Sequence, residues 1–266
     1  MAAADGTPPV TGVTDTGAAG PQNGYMSTLT EQRTVGEIAA QYPATVRVFQ
    51  RLNIDFCCGG KRPLSEACEE RGLAPGRVLE ELAQATAART PDQTDWNAAP
   101  LGALMDHIVA THHEYMKAEL PRLGAMLARI VEKHGEKYGD IPERLNAIYQ
   151  GLRADLESHL MKEERILFPL IGQLEDAKRA GVPAPPSHCG SVNNPIRVMI
   201  HEHDSAGGAL AAMREATANY AVPEEACNTF RALYHDLGAM EADLHQHIHL
   251  ENNILFPRAA ALEAAL

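Results

Sequence analysis

Aromatic residues make up only 5% of this 266-residue chain, tryptophan occurs once, and runs in which β-branched and polar residues alternate are nearly absent. That scarcity excludes the alternating strands of a sandwich or barrel. No uninterrupted apolar run reaches the roughly 18 residues that cross a bilayer, so a soluble protein without a membrane partner is expected. Basic residues are also in deficit, with 23 Lys and Arg against 35 Asp and Glu and a net charge of −12. Nucleic-acid affinity comes from clustered Lys and Arg, so nucleic acid is not an expected partner. The five cysteines are odd in number and their spacings fit neither a secreted disulfide framework nor a C-x-x-C zinc site. The first residues lack the basic start and apolar middle of a secretory signal. A cytoplasmic location is expected.

What the chain does have is Ala, Leu, Glu and Arg, with apolar positions three and four apart. The fold class is therefore all-α. Residues 1–27, MAAADGTPPVTGVTDTGAAGPQNGYMS, are small, turn-forming and polar, and read as a disordered tail. Residues 28–89 read as a small helical domain. Thr34 and Glu37 have the spacing of a capping box, and Pro43 suits the first turn of a second helix. The segment DFCCGGKRPL breaks the pattern at two glycines before Pro63 opens a third helix, Gly72 ends it, and a last helix covers about 75–88. Residues 90–99 are a polar linker. Four long amphipathic segments follow, at about 100–134, 142–176, 194–219 and 223–262, which suggest an up-down four-helix bundle over 100–266.

The bundle says one thing twice. Residues 155–169 read DLESHLMKEERILFP and residues 243–257 read DLHQHIHLENNILFP. Residues four apart share a helix face, so His159 with Glu163, and His247 with Glu251, each make a bidentate pair. Imidazole plus carboxylate suits iron, manganese or zinc, and bundle cores build two-metal sites with bridging carboxylates in this way. Duplication of a helical hairpin explains repeated apolar residues. It does not explain two glutamates on core-facing stripes, where unpaired carboxylates are costly.

Helices one and three must supply the remaining nitrogens. The first offers His112 and His113, the second His201 and His203, and the repeat, with a two-residue shift, aligns His113 with His203. The candidate metal ligands are thus His113, His159, Glu163, His203, His247 and Glu251. Each metal receives two imidazoles, both carboxylates bridge, and an oxo or hydroxo group completes the bridge beside an open position. Ligating imidazoles pass their second N–H to an outer acceptor. Asp155 and Asp243, one turn before His159 and His247, are placed for that role, as is Glu202 beside His203. His107, His134, His188, His235, His245 and His249 are assigned to solvent, caps or the surroundings of the site. Phe168-Pro169 and Phe256-Pro257 are expected to serve packing and helix kinking.

The small domain carrying DFCCGGKRPL, followed by SHLMKEERILFP, MIHEHDS and HIHLENNILFPRA, resembles the repair-of-iron-centres family over about residues 28–262. The resemblance implies a hemerythrin-like bundle with a non-haem di-iron centre, two iron ions under an oxo or hydroxo bridge, and a cytoplasmic role in nitrosative and oxidative stress. It also implies restoration of damaged iron–sulfur clusters and binding or reduction of nitric oxide. The family's ligands carry over onto His113, His159, Glu163, His203, His247 and Glu251. Hemerythrin proper uses five His with two carboxylates, and the four His here argue against reversible oxygen carriage as the main task.

Cys57 and Cys58 are candidate redox or iron-transfer thiols. Backbone N–H groups with Lys61 and Arg62 are expected to lower a thiol pKa there. Relay of iron, disulfide exchange and contact with the bundle all stay open, while Cys68, Cys189 and Cys227 read as small apolar residues. Three functions share the metal site. These are a repair protein that donates iron, a di-iron nitric oxide reductase that makes nitrous oxide, and a sensor or scavenger of nitric oxide or oxygen. Two metals can hold two nitric oxide molecules close together, which N–N coupling requires. The expected partners are iron–sulfur proteins or a cluster-assembly scaffold, and nitric oxide, and the reading allows a homodimer.

Overall fold

The computed structural model describes residues 29–87, 94–184 and 186–266, together with Met1. The rest of the expected tail over 1–27 lies outside the described residues, as does the start of the expected linker, 90–93.

Local chemistry sets the helix starts. The Thr34 hydroxyl accepts from the Glu37 amide at 3.3 Å and the Glu37 carboxylate accepts from the Thr34 amide at 3.2 Å, the reciprocal cap of α1 (Val35–Gln41). Pro43 opens a 3-10 turn, Pro43–Thr45, that runs into α2 (Val46–Arg51). Then α3 (Leu64–Glu70) follows Pro63 and closes before Gly72, whose φ of 65° carries no side-chain penalty in glycine. The fourth short helix is α4 (Pro75–Ala87).

Three of the four long helices of the bundle contain one wider, π-helical turn. In the first, α5 (Leu101–Ile108) continues through Val109–His113 into α6 (Glu114–Tyr138). In the second, α7 (Ile141–Lys162) continues through Glu163–Leu167 into α8 (Phe168–Ala180). The third is unbroken, α9 (Asn193–Ala216). The fourth is α10 (Asn228–Leu250), Glu251–Leu255 and α11 (Phe256–Ala264). α6 lies beside α7 and α10, α7 beside α9, and α8 beside α5 and α11. No strand occurs among the described residues.

The π turns have a local cause in two cases. Pro169 and Pro257 cannot donate to the ladder and crowd the carbonyl four residues back. Immediately before each, the ladder lengthens by one residue, so that the Phe168 amide bonds Glu163 O and the Phe256 amide bonds Glu251 O. The second long helix runs past the expected 176 to Ala180, and the third stops at Ala216 rather than 219. Two further ends differ from expectation for a visible local reason. The first long helix passes Gly135 and stops at Gly139, φ 65°, because one interior glycine costs only about 1 kcal/mol. The fourth starts at Asn228 rather than 223, because Pro223 begins a turn closed by the Ala226 amide at 3.0 Å.

Two apolar layers frame the middle of the bundle. One contains Ile108, Leu167, Phe168, Met199, Leu255 and Phe256. The other contains Met116, Leu160, Leu210, Leu244 and Ile248, and is continuous with Ile38, Phe49, Phe56 and Leu64 of the small helical region. The candidate ligands lie between these layers. No helix among the described residues is long and apolar enough to cross a membrane.

Candidate metal centre

The six residues singled out in the sequence meet at one place. His113, Glu163, His247 and Glu251 present ligand-type atoms within 4.8 Å of one another, and so do His159, Glu163, His203 and Glu251. Both glutamates belong to both groups, whereas each histidine belongs to one. His113, Glu163, His247 and Glu251 are 0% exposed. His203 and His159 are 2% and 3% exposed.

All four imidazoles aim Nε2 inward. His159 Nε2 lies 3.2 Å from Glu163 Oε1, His203 Nε2 3.1 Å from Glu251 Oε2, and His247 Nε2 3.2 Å from Glu251 Oε1. His113 Nε2 is 3.5 Å from Glu163 Oε2. Nitrogens also face each other, at 3.2 Å between His113 and His247 and 3.1 Å between His203 and His159. Despite these approaches, all four oxygens of Glu163 and Glu251 lack a well-aligned hydrogen bond among the described residues. Buried carboxylate oxygens are almost always hydrogen-bonded or coordinate a cation. Four unsatisfied oxygens amid four converging nitrogens are a donor set that fits divalent or trivalent first-row metals. Burial opposes the charge on Glu251, yet the neighbouring His247 and His203 hold its carboxyl well below the usual range. Burial lowers the pKa of His247 and favours the neutral ring that can ligate.

The outward nitrogens are held in turn. His113 Nδ1 donates to Glu164 at 2.8 Å, His159 Nδ1 to Glu202 at 2.8 Å and His203 Nδ1 to Asn252 at 2.9 Å. Lys117 anchors Glu164 at 2.8 Å, and Lys162 anchors Glu202. Of the three residues expected to support the ligands, Glu202 contacts His159. Asp155 is exposed, and the His159 nitrogen expected to meet it is taken by Glu202. Asp243 Oδ1 accepts from His112 at 2.9 Å. Sequence reasoning missed Glu164 and Asn252, although each directly follows a repeat-related glutamate. His112 and His113 are both buried, but only His113 is in the ligand groups, and His201 is exposed.

The double cysteine lies against the bundle beside this centre. Cys58 Sγ donates to the carbonyl of His203 at 3.5 Å, and Asn252 Nδ2 donates to the carbonyl of Cys57 at 3.5 Å. Asn253 Nδ2 donates to Phe56 O at 2.9 Å. The expected lowering of a thiol pKa is corrected at Cys57. Its bond to Cys58, then burial, raise the thiol well above its ordinary value, and Sγ lies 3.4 Å from Asp55 Oδ1. Of the two cations invoked, Lys61 is exposed and Arg62 pairs with Glu70. Both cysteines are free thiols with Sγ atoms 3.9 Å apart. They line a cleft of about 830 Å³ with Asp55, Arg214, Glu241 and His245.

A helical bundle with paired His and Glu at its middle is the hemerythrin type of cation-binding domain, and residues 104–259 match the hemerythrin HHE cation binding domain family. Residues 31–86 match a domain of unknown function, DUF542, also described as ScdA_N. The chain is 40% identical over 227 residues to the iron-sulfur cluster repair protein YtfE of Pectobacterium carotovorum, covering 85% of this chain and 96% of the relative. The protein of the same name from Musicola paradisiaca is 40% identical over 88% of this chain and 98% of its own. That from Escherichia coli O81 is 37% identical over 86% and 97%. The chain belongs to the YtfE family of iron-sulfur cluster repair proteins.

Proposed function

We propose that the chain restores iron–sulfur clusters damaged under nitrosative or oxidative stress, using iron held at a two-metal centre. His113, His159, Glu163, His203, His247 and Glu251 would hold two iron ions that share a bridging oxygen. The observation that carries the reading is the sharing of two fully buried carboxylates between two histidine pairs. The family relationship supports it, since its relatives carry the name of cluster repair proteins. When bound, iron supplies the metal that a damaged cluster has lost and a position at which nitric oxide can bind.

The chain's own residues do the rest. Glu163 and Glu251 balance metal charge, and the apolar layers on either side keep water from the carboxylates. Glu164, Glu202 and Asn252 fix the tautomer and plane of three rings, so that Nε2 is the free donor in each. Cys57 and Cys58, packed against the carbonyl of His203 and the side chain of Asn252, stand between the centre and the cleft. They are the thiols that would pass iron outward to a cytoplasmic iron–sulfur protein or assembly scaffold.

The test is reactivation of an iron–sulfur enzyme damaged by nitric oxide. Iron-loaded wild type restores activity, and Cys57→Ala/Cys58→Ala keeps its iron but does not. Absence of reactivation by wild type, together with multiple-turnover nitrous oxide formation in the presence of a reductant, would replace repair by nitric oxide reduction.

A further inference from the structure

The repeat supplies the outer partners of the histidines by one rule, and the rule fails at one ring. Glu164 and Asn252 each follow a repeat-related glutamate, and each accepts from the histidine of the facing helix, His113 or His203. Glu202 precedes His203 and accepts from His159. The equivalent residue preceding His113, which the repeat assigns to His247, is His112. Its ring lies 5.6 Å from that of His247 with 3° between the planes, so it cannot accept an in-plane N–H.

His247 Nδ1 is therefore buried without a hydrogen-bond partner among the described residues, and so is Oδ2 of Asp243. Asp243 is one turn before His247 on α10, and its other oxygen takes His112 Nδ1 at 2.9 Å. A buried donor and a buried acceptor, four residues apart on one helix, are each unpaired. A buried polar group left unpaired is destabilising, so two such groups one helical turn apart are natural partners.

We propose that Asp243 is the positioning residue of His247. Its Oδ2 accepts the Nδ1 proton, directly or across one water, while its Oδ1 holds His112 against the face of the same ring. The inference rests on the reading of His247 as a metal ligand through Nε2. It makes the two metal positions unequal. At the His113/His247 position both rings are backed by carboxylates, Glu164 and Asp243. At the His159/His203 position one ring is backed by Glu202 and the other by the neutral amide of Asn252. Carboxylate backing makes an imidazole a stronger donor, so the His159/His203 position is the weaker one. It is also the one beside the double cysteine, since Asn252 and the His203 carbonyl are the groups that touch Cys57 and Cys58.

Titration of the metal-free full chain with Co(II), followed by its ligand-field spectrum, tests this. Wild type shows a tight and a weak step. Asp243→Asn weakens the tight step by about 10–100-fold and leaves the weak step in place, and the His247 Nδ1 proton loses its hydrogen-bonded NMR shift. Asn252→Asp, which does not depend on how Asp243→Asn folds, strengthens the weak step. The proposal is overturned if Asp243→Asn changes neither step or both alike, or if Asn252→Asp leaves the weak step unchanged. Fewer than two cobalt ions bound by wild type would instead overturn the two-metal reading beneath it.

Discussion

Gly36→Ala tests how the double-cysteine region is held to the bundle. A β-carbon at Gly36 would lie 2.8 Å from the backbone oxygen of Gly60 and 2.8 Å from Asn253 Cγ, and would press on Asn253 Oδ1. Neither side yields easily. Gly60 O accepts from the Gly36 amide at 2.8 Å. Asn253 is tied to Phe56 O at 2.9 Å and to His249 Nδ1 at 2.9 Å. Overpacking of this kind costs about 1–3 kcal/mol, and loss of the Asn253 to Phe56 hydrogen bond costs about 1 kcal/mol more. The sum, about 2–4 kcal/mol, corresponds to a fall in Tm of roughly 4–16 °C at about 2–4 °C per kcal/mol. Circular dichroism melts measure it, and hydrogen exchange should place the loss of protection in α1 and residues 53–63. Gly76→Ala is the control. Nothing lies within 4 Å of its β-carbon, and as a helical position of α4 it should gain about 0.5–1 kcal/mol. A Gly36→Ala protein that melts with wild type would refute the account of the junction.

Chelation of the loaded protein should lower its Tm. At a free metal concentration of about 100 times Kd, one site contributes about 2.7 kcal/mol, or roughly 5–11 °C, and coincident calorimetric transitions with and without chelator would contradict it. Arg214→Ala should destabilise by about 3 kcal/mol. Glu241, 5% exposed, would then keep the Tyr220 hydroxyl, which donates at 2.8 Å, and His245 Nε2 at 4.0 Å, and urea unfolding at wild-type midpoint would count against this. Tyr149→Phe should cost about 1 kcal/mol by the same assay, because its buried hydroxyl donates to Leu120 O at 2.8 Å.

The helices and the six converging residues were legible because they depend on period and repetition. A His and a Glu four apart share a helix face whatever surrounds them, and the second copy located the first. What stayed hidden depends on which neighbour a side chain meets across a helix boundary. Glu164 and Asn252 look like ordinary surface residues in sequence, yet each reaches a ring on another helix. The π turns at Glu163 and Glu251 were signalled only by the prolines that follow them, and proline suggests a kink without specifying its form. Arg62 is near Cys57 in sequence but is drawn to Glu70, and the group that faces the thiol is Asp55. Sequence proximity also could not show the contact with Cys58 and the burial that chiefly raise that thiol.

The central claim is that one two-metal centre is built on two shared carboxylates, and counting iron in point variants tests it most directly. Each carboxylate belongs to both candidate ligand groups and each histidine to one. Anaerobically reconstituted wild type should hold two irons per chain. His203→Ala should keep the iron at the His113/His247 position, and Glu251→Ala should lose both irons and the bridged optical spectrum. A Glu251→Ala protein that retains one iron, or the full bridged spectrum, would contradict the account.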